Sequence, residues 1–173
     1  MGLVLVQCLA RSFAERVIAS DVDRDRLRMA GEYGAHVLLN PTEDGFGEQL
    51  AAAQAMVIDT VVDASGSQAG LTLSTQLVKR GGRINIFGWM HGPVSFLGDD
   101  WHANGYTIVN SSPAAKIRDP FPVAARLIAS GMVRMERLVT HVVSLDELPT
   151  LMADAAGHKL PGYIKGVVKL SET

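Results

Sequence analysis

Short, dense apolar runs recur along the chain, at 16–20, 36–39, 56–62, 83–87 and 106–109. Each has the length and composition of a buried strand. Longer segments with helical spacing separate them. In 23–33, Leu27, Ala30 and Gly31 fall at i, i+3 and i+4 and so share an inward face. Two of the three are small, so the stripe is narrow and lets the helix approach a sheet closely. Gly34 suits the C-terminal cap of that helix. Segment 46–55 is alanine-rich and reads as a helix. Segment 68–78 reads as the next one, stopped by Gly81-Gly82. A helix over 122–130 carries Pro122 in its first turn. The tail predicts a strand at 138–143, a helix at 145–155 and a last strand at 164–170. Asn40-Pro41, the stretch from Gly92-Pro93 to Asp99-Asp100, and Asn110-Ser111-Ser112-Pro113 read as turns and loops.

The first residues are ambiguous. Leu3-Val4-Leu5-Val6 alone prefers a strand. Placed after a phosphate-binding turn, the same run is a helix packed on a sheet, apolar on nearly every side. We read 3–13 as a helix. The regular alternation then predicts an α/β fold: a doubly wound, mostly parallel sheet with helices on both faces.

Composition changes this picture little. A chain of 173 residues suffices for one domain with a sizeable core and is too short for two full ones. A net charge of −2 supplies no basic surface for nucleic acid or an anionic membrane. No apolar stretch has the length to span a bilayer. Gly2 to Ala10 lacks the basic leader of a signal peptide. Cys8 is the only cysteine, which rules out an internal disulfide or a thiolate cluster. The cytoplasm is the default compartment.

Candidate chemistry sits at the strand ends, where doubly wound sheets bind ligands. Asp21 closes the run Arg16-Val17-Ile18-Ala19-Ser20. A carboxylate there accepts both ribose hydroxyls of NAD and repels the 2′-phosphate of NADP. Its bland alternative is a helix cap. Arg26, five residues on, covers the adenosine side. A second cluster is Val61-Val62-Asp63-Ala64-Ser65-Gly66-Ser67, where a buried strand opens into small residues and a flat cofactor can approach backbone. Asp63 can equally cap the next helix. A third is Gly81-Gly82-Arg83-Ile84-Asn85-Ile86-Phe87-Gly88. Each is weak alone; in this order and spacing they reinforce one another.

Together, RVIASDVDRDRLRMAGEYGAHVLLNP, VVDASG and GGRINIFG resemble the medium-chain, zinc-type alcohol/polyol dehydrogenases. The likeness runs from Met1 to about Leu170. It implies a Rossmann-type sheet that lacks its first strand in this sequence. Residues 1–137 would form a partial dinucleotide-binding domain, and 138–173 a segment returning to a catalytic domain. The family's phosphate turn reads Gly-x-Gly-x-x-Gly, and Gly2 matches its last glycine. By the same resemblance Asp21 binds the adenosine ribose with Arg26 beside it. Ala64 and Ser65 line the cofactor. Phe87, Gly88 and Trp89 flank the nicotinamide end, and Ser111 stands on the nicotinamide side. Lys165 reaches the pyrophosphate. Asn110 stands where the family often has glycine. The family's zinc ligands precede the phosphate turn. Cys8 matches none of them, and His36, His91, His102, His141 and His158 are scattered.

The missing strand is a central one in the order 3-2-1-4-5-6. Either Leu3 to Cys8 rearranges to fill the gap, or another chain supplies the strand, or the chain is unstable alone. Two classes of function remain. The first is the NAD(H)-binding part of an oxidoreductase that moves hydride to or from a small alcohol or polyol, with zinc only in the full-length enzyme. The second is a non-catalytic dinucleotide-binding or interaction module, or an inert truncation product. Expected partners are the small-molecule substrate, a second copy of the chain, or a chain that supplies the strand.

Overall fold

The computed structural model describes residues 1–111, 119–157 and 159–170. Helices and strands alternate: α1 (Gly2–Ala10), β1 (Ile18–Ser20), α2 (Arg24–Glu32), β2 (Val37–Leu39), α3 (Phe46–Gln54), β3 (Ile58–Asp63), α4 (Gln68–Leu77), β4 (Val78–Ile86), α5 (Gly98–Asn104) and β5 (Thr107–Asn110). Then come α6 (Phe121–Ala129), a 3₁₀ turn at Glu136–Leu138, β6 (Val139–Val143), α7 (Leu148–Ala156) and β7 (Lys165–Val168). The described pairings are all parallel. β1 pairs with β2, β3–β4–β5 form a second sheet, and β6 pairs with β7. This is the doubly wound α/β arrangement expected from the sequence.

β1 shows how the two faces are wound. Successive side chains of a strand point to opposite faces. Val17 and Ala19 join a cluster with Val6 of α1 and Met29, Ala30 and Tyr33 of α2 and its end. Ile18, between them, joins Leu39, Ala53 and Leu77 with Phe46 and Leu50 on the α3–α4 side. α1 and α2 therefore cover one face, and α3 and α4 the other. Ile84 and Tyr106 form a third cluster with Val78, Val61 and Ile108.

α1 and α2 approach closely. Gly34 follows α2 at φ +108°, a left-handed value that glycine adopts freely. A Cβ there would lie 2.7 Å from the Ala10 Cβ of α1. The expected cap is thus also a packing requirement. Because α1 is a helix, Leu3 to Cys8 does not fill the central gap. β1 pairs only with β2, and β3 only with β4, so among the described residues no strand lies between them.

The C-terminal part docks on the α1–α2 face. Leu138 is buried in the first cluster, with Met135 and Ile164 packed against it. Gln7 of α1 is fully buried. Its Nε2 donates to the Arg134 carbonyl at 3.1 Å and its Oε1 accepts from the Arg134 amide at 2.7 Å. Glu32 receives both Arg28 at 2.8 Å and Arg137 at 2.5 Å. By contrast α6 buries none of its residues and exposes Phe121, Val123 and Ile128.

Several boundaries differ from the sequence reading, each for a local reason. The helix over 68–78 ends at Leu77, and β4 starts at Val78. Gly81-Gly82 does not stop a helix; it forms an irregularity inside β4. Ile58 lies opposite Val78 but Thr60 lies opposite Arg83, so the longer stretch bulges, and Gly81 takes φ +68°. The loop expected through Asp99-Asp100 contains α5, closed by Gly105 at φ +60°. There the Trp101 indole donates to the Tyr106 carbonyl at 2.9 Å, and the buried Tyr106 hydroxyl donates to Asp100 at 3.0 Å. On α2 the inward stripe is wider than Leu27, Ala30 and Gly31, because Met29 is buried too. The turn expected at Ser112-Pro113 lies outside the described residues. β3 begins at Ile58 because Val57 before it sits at φ +56°.

Two predictions follow from this geometry. A β-branched residue in the left-handed region is strained, at a cost of roughly 1–2 kcal/mol. Val57 is 61% exposed, so it contributes little packing in return. Val57→Gly should raise the thermal midpoint in calorimetry; an unchanged or lower midpoint would deny the strain. Burial, and then the Asp100 carboxylate, push the Tyr106 phenol up to about 12. A phenol raised above its unfolded value stabilises the fold fully below pH ~10, and that stability is lost as pH climbs toward 12. Urea midpoints measured across pH 9–12 should fall less steeply for Tyr106→Phe than for the native chain.

Candidate cofactor site

Asp21 directly follows β1, and its backbone N–H donates to the Leu39 carbonyl at 3.2 Å. It is half-buried, and its Oδ1 accepts from the Asp23 amide at 3.0 Å. The helix cap is Asp23 rather than Asp21. Its Oδ1 accepts from the Asp25 and Arg26 amides at 2.9 and 3.0 Å. Asp21 is thereby left oriented at the strand end without a capping task. Arg26 turns toward the C-terminal part. Its Nη2 donates to the Tyr163 carbonyl at 3.3 Å, and its Nε lies 3.8 Å from Asp23.

Gly2 opens α1, whose cap residue Met1 makes no side-chain hydrogen bond. Beyond its chain neighbours and the backbone of α1, nothing described lies within 4 Å of where a Gly2 Cβ would stand. The first amides of a helix lack intrahelical partners and carry its positive dipole end, which suits an anion. Here the last glycine of a phosphate turn would place them.

Ala64 and Ser65 leave β3. Ser65 Oγ donates to Asp63 Oδ1 at 2.6 Å and its amide to the same oxygen at 3.1 Å. Asp63 does not cap α4. Ser67 does, with its Oγ accepting from the Gly70 amide at 3.1 Å. Phe87 and Gly88 leave β4, and both of their amides donate to the Asp63 carbonyl, at 2.9 and 2.8 Å. The two loops touch through backbone. A Cβ at Gly66 would lie 2.5 Å from the Trp89 carbonyl oxygen, and one at Gly88 would collide with the Gly66 amide nitrogen. These glycines are required by close approach. Trp89 is 75% exposed, its ring tilted toward His91 at 6.5 Å.

Ser111 follows β5. Its amide donates to the Ile86 carbonyl at 3.1 Å, and its Oγ to Asn85 Oδ1 at 2.8 Å. Asn85 is a site neighbour that the sequence reading passed over inside the glycine-rich cluster. Its polar position in an apolar strand was the available signal. Ala64, Ser65, Phe87, Gly88, Trp89 and Ser111 thus gather at the carboxyl end of one sheet, and Asp21 stands at the carboxyl end of the other. Lys165 belongs to neither. It starts β7, exposed, with its amide on Thr140 Oγ1 at 3.3 Å.

The histidines stay dispersed. His36 Nδ1 accepts from the Val17 amide at 3.0 Å, which gives it a structural task. His158 lies outside the described residues. Among the described residues no three His, Cys, Asp or Glu side chains converge to hold a metal ion. No helix among them is long and apolar enough to cross a membrane.

A family profile described as zinc-binding dehydrogenase matches residues 1–130. The chain belongs to that family. It is 27% identical over 175 aligned residues to a zinc-type alcohol dehydrogenase-like protein of Escherichia coli (strain K12), covering 99% of this chain and 48% of that one. An Escherichia coli oxidoreductase/dehydrogenase of unknown specificity superimposes with a TM-score of 0.85 at 26% identity, over 98% of this chain and 48% of its own. An alcohol dehydrogenase of Escherichia coli CFT073, solved with NADH, gives a TM-score of 0.78 at 22% identity, over 98% and 49%. The chain spans about half the length of the curated relatives it matches.

Close packing at the loop contact makes one substitution decisive. Gly88→Ala should lower stability by about 1–3 kcal/mol, the usual penalty for forcing atoms into filled space. The loss is read as a drop in the urea midpoint at constant slope. Gly98→Ala, where the new Cβ meets open space beyond its chain neighbours, is the control. A loss at Gly88 no larger than at Gly98 would deny the contact.

Proposed function

We propose that this chain is the NAD(H)-binding part of an oxidoreductase that transfers hydride to or from a small alcohol or polyol. Asp21 carries the reading: a half-buried carboxylate at the end of β1, relieved of helix capping by Asp23. Family membership supports it, as do the alcohol dehydrogenase-like relative and the NADH in a structure of like fold. In this reading Asp21 takes the adenosine ribose and Arg26 lies at its side. The α1 N-terminus at Gly2 faces the pyrophosphate. Ala64, Ser65, Phe87, Gly88, Trp89 and Ser111 hold the nicotinamide half, and Lys165 approaches the pyrophosphate. Residues 1–137 form the dinucleotide-binding unit and 138–173 the segment that returns toward a catalytic domain.

The family's zinc does not fit the residues here, since no donor set converges among those described. This chain's contribution is to bind and orient the cofactor, and we propose that it is inactive alone. Two surfaces support a protein partner, either a second copy or a chain supplying the strand between β1 and β3: their open edges and the exposed apolar side of α6. With its lone cysteine, the protein suits the cytoplasm.

Calorimetric titration tests this. NADH should bind more tightly than NADPH. Asp21→Ala should weaken NADH about tenfold, as expected for losing hydrogen bonds to a charged group, and narrow the gap to NADPH. Tighter binding of NADPH by the native chain would contradict the assignment. So would turnover of small alcohols or polyols at a normal enzymatic rate.

A further inference from the structure

The loops after β3 and β4 converge on one residue. Asp63 ends β3 and is only 4% exposed. Its carboxylate Oδ1 takes both the amide and the hydroxyl of Ser65. With the Ser65 proton committed to Asp63, the Ser67 hydroxyl at 3.0 Å donates back to Ser65 Oγ. Ser67 Oγ in turn accepts the Gly70 amide and caps α4. The hydroxyls thus line up toward one carboxylate, and each bond polarises the next. The Asp63 carbonyl meanwhile holds the Phe87 and Gly88 amides of the other loop. Gly66 sits against Gly88 and Trp89 without room for a Cβ. Further along, the Gln68 side chain straps the second loop. Its Nε2 donates to the Ser95 carbonyl at 2.9 Å, and its Oε1 accepts the Ser95 amide at 2.8 Å.

Asp63 Oδ2 is buried with no hydrogen-bond partner among the described residues. An unsatisfied buried oxygen lowers stability. The residue is therefore not explained by its own burial; a single oxygen does all of its side-chain work, and that work is the loop.

We propose that Asp63 is a positioning residue that locks the two loops into one unit, and that this unit holds the nicotinamide half of the cofactor. The second clause rests on the NAD(H)-binding reading above. Among the described residues the hydrogen bonds of Asp63 outside the strand pairing run to Ser65, Phe87 and Gly88, and none to Asp21 or α1. Its loss should therefore be felt by NADH and not by AMP. Because only Oδ1 is used, asparagine should replace it.

The experiment is an NMR titration of the isotope-labelled 173-residue chain with NADH and with AMP, in native, Asp63→Ala and Asp63→Asn forms. Asp63→Ala should weaken NADH about tenfold toward the affinity of AMP. AMP should be unaffected, and Asp63→Asn should restore NADH binding. An equal loss of AMP, or no loss of NADH, would overturn the proposal. Amide hydrogen exchange without ligand tests the coupling separately. The Ser65 amide, bonded to Oδ1, should lose protection in Asp63→Ala and regain it in Asp63→Asn, and the Phe87 and Gly88 amides, held by the Asp63 backbone carbonyl, should loosen with that loop; unchanged protection at Phe87 and Gly88 overturns the lock. A native chain that binds neither ligand defeats the NAD(H) reading instead, and the exchange result still decides the lock. Should Asp63→Ala not fold, Ser65→Ala removes the next hydroxyl of the chain and is read in the same way.

Discussion

A parallel strand in a doubly wound sheet must bury both faces and pair both edges. β1 meets the first demand and half of the second. Val17 and Ala19 go to α1 and α2, Ile18 goes to α3 and α4, and one edge pairs with β2. Nearly everything else follows from this strand. It sets which helices share a face and brings the C-terminal part against α1 and α2. It also points Asp21 out of the carboxyl end. Among the described residues no strand pairs with its other edge or with the facing edge of β3.

The site is divided by the same gap. Asp21 belongs to the β1–β2 sheet, while the loops around Ser65, Gly88 and Ser111 belong to the β3–β4–β5 sheet. A dinucleotide bound across the carboxyl ends would bridge the two. In the proposed reading the adenosine half would meet a carboxylate and a helix N-terminus, and the nicotinamide half backbone and small side chains, drawn together at Asp63. Binding and order of the two sheets are then coupled, because a ligand that favours the assembled state stabilises it by mass action.

Much of this was legible in the residues. Dense apolar runs ending in small or acidic residues gave the parallel strands, and Gly34 marked the end of α2. The double glycine misled, because glycine serves both helix ends and strand irregularities, and only the pairing of β3 with β4 tells them apart. α5 was hidden because seven residues carry no helical period; its evidence is the tertiary contact of Trp101 and Asp100 with Tyr106. At the site, the types and order of residues pointed to the strand ends. What sequence left open was whether Asp21 and Asp63 cap the helices that follow them; Asp23 and Ser67 do so instead, chosen by hydrogen-bond geometry a few residues wide. Arg26 likewise reads as an adenosine neighbour, yet its guanidinium reaches Tyr163, a contact across the chain that no local pattern encodes.

The central claim is that a nicotinamide dinucleotide lies across the carboxyl ends of these strands, with its adenosine ribose at Asp21. A crystal structure of the chain grown with millimolar NADH tests it most directly. The ribose hydroxyls are expected within hydrogen-bond distance of the Asp21 carboxylate, with the nicotinamide beside Ser65 and Gly88. A cofactor bound away from Asp21, or an ordered chain with no cofactor at that concentration, would contradict it.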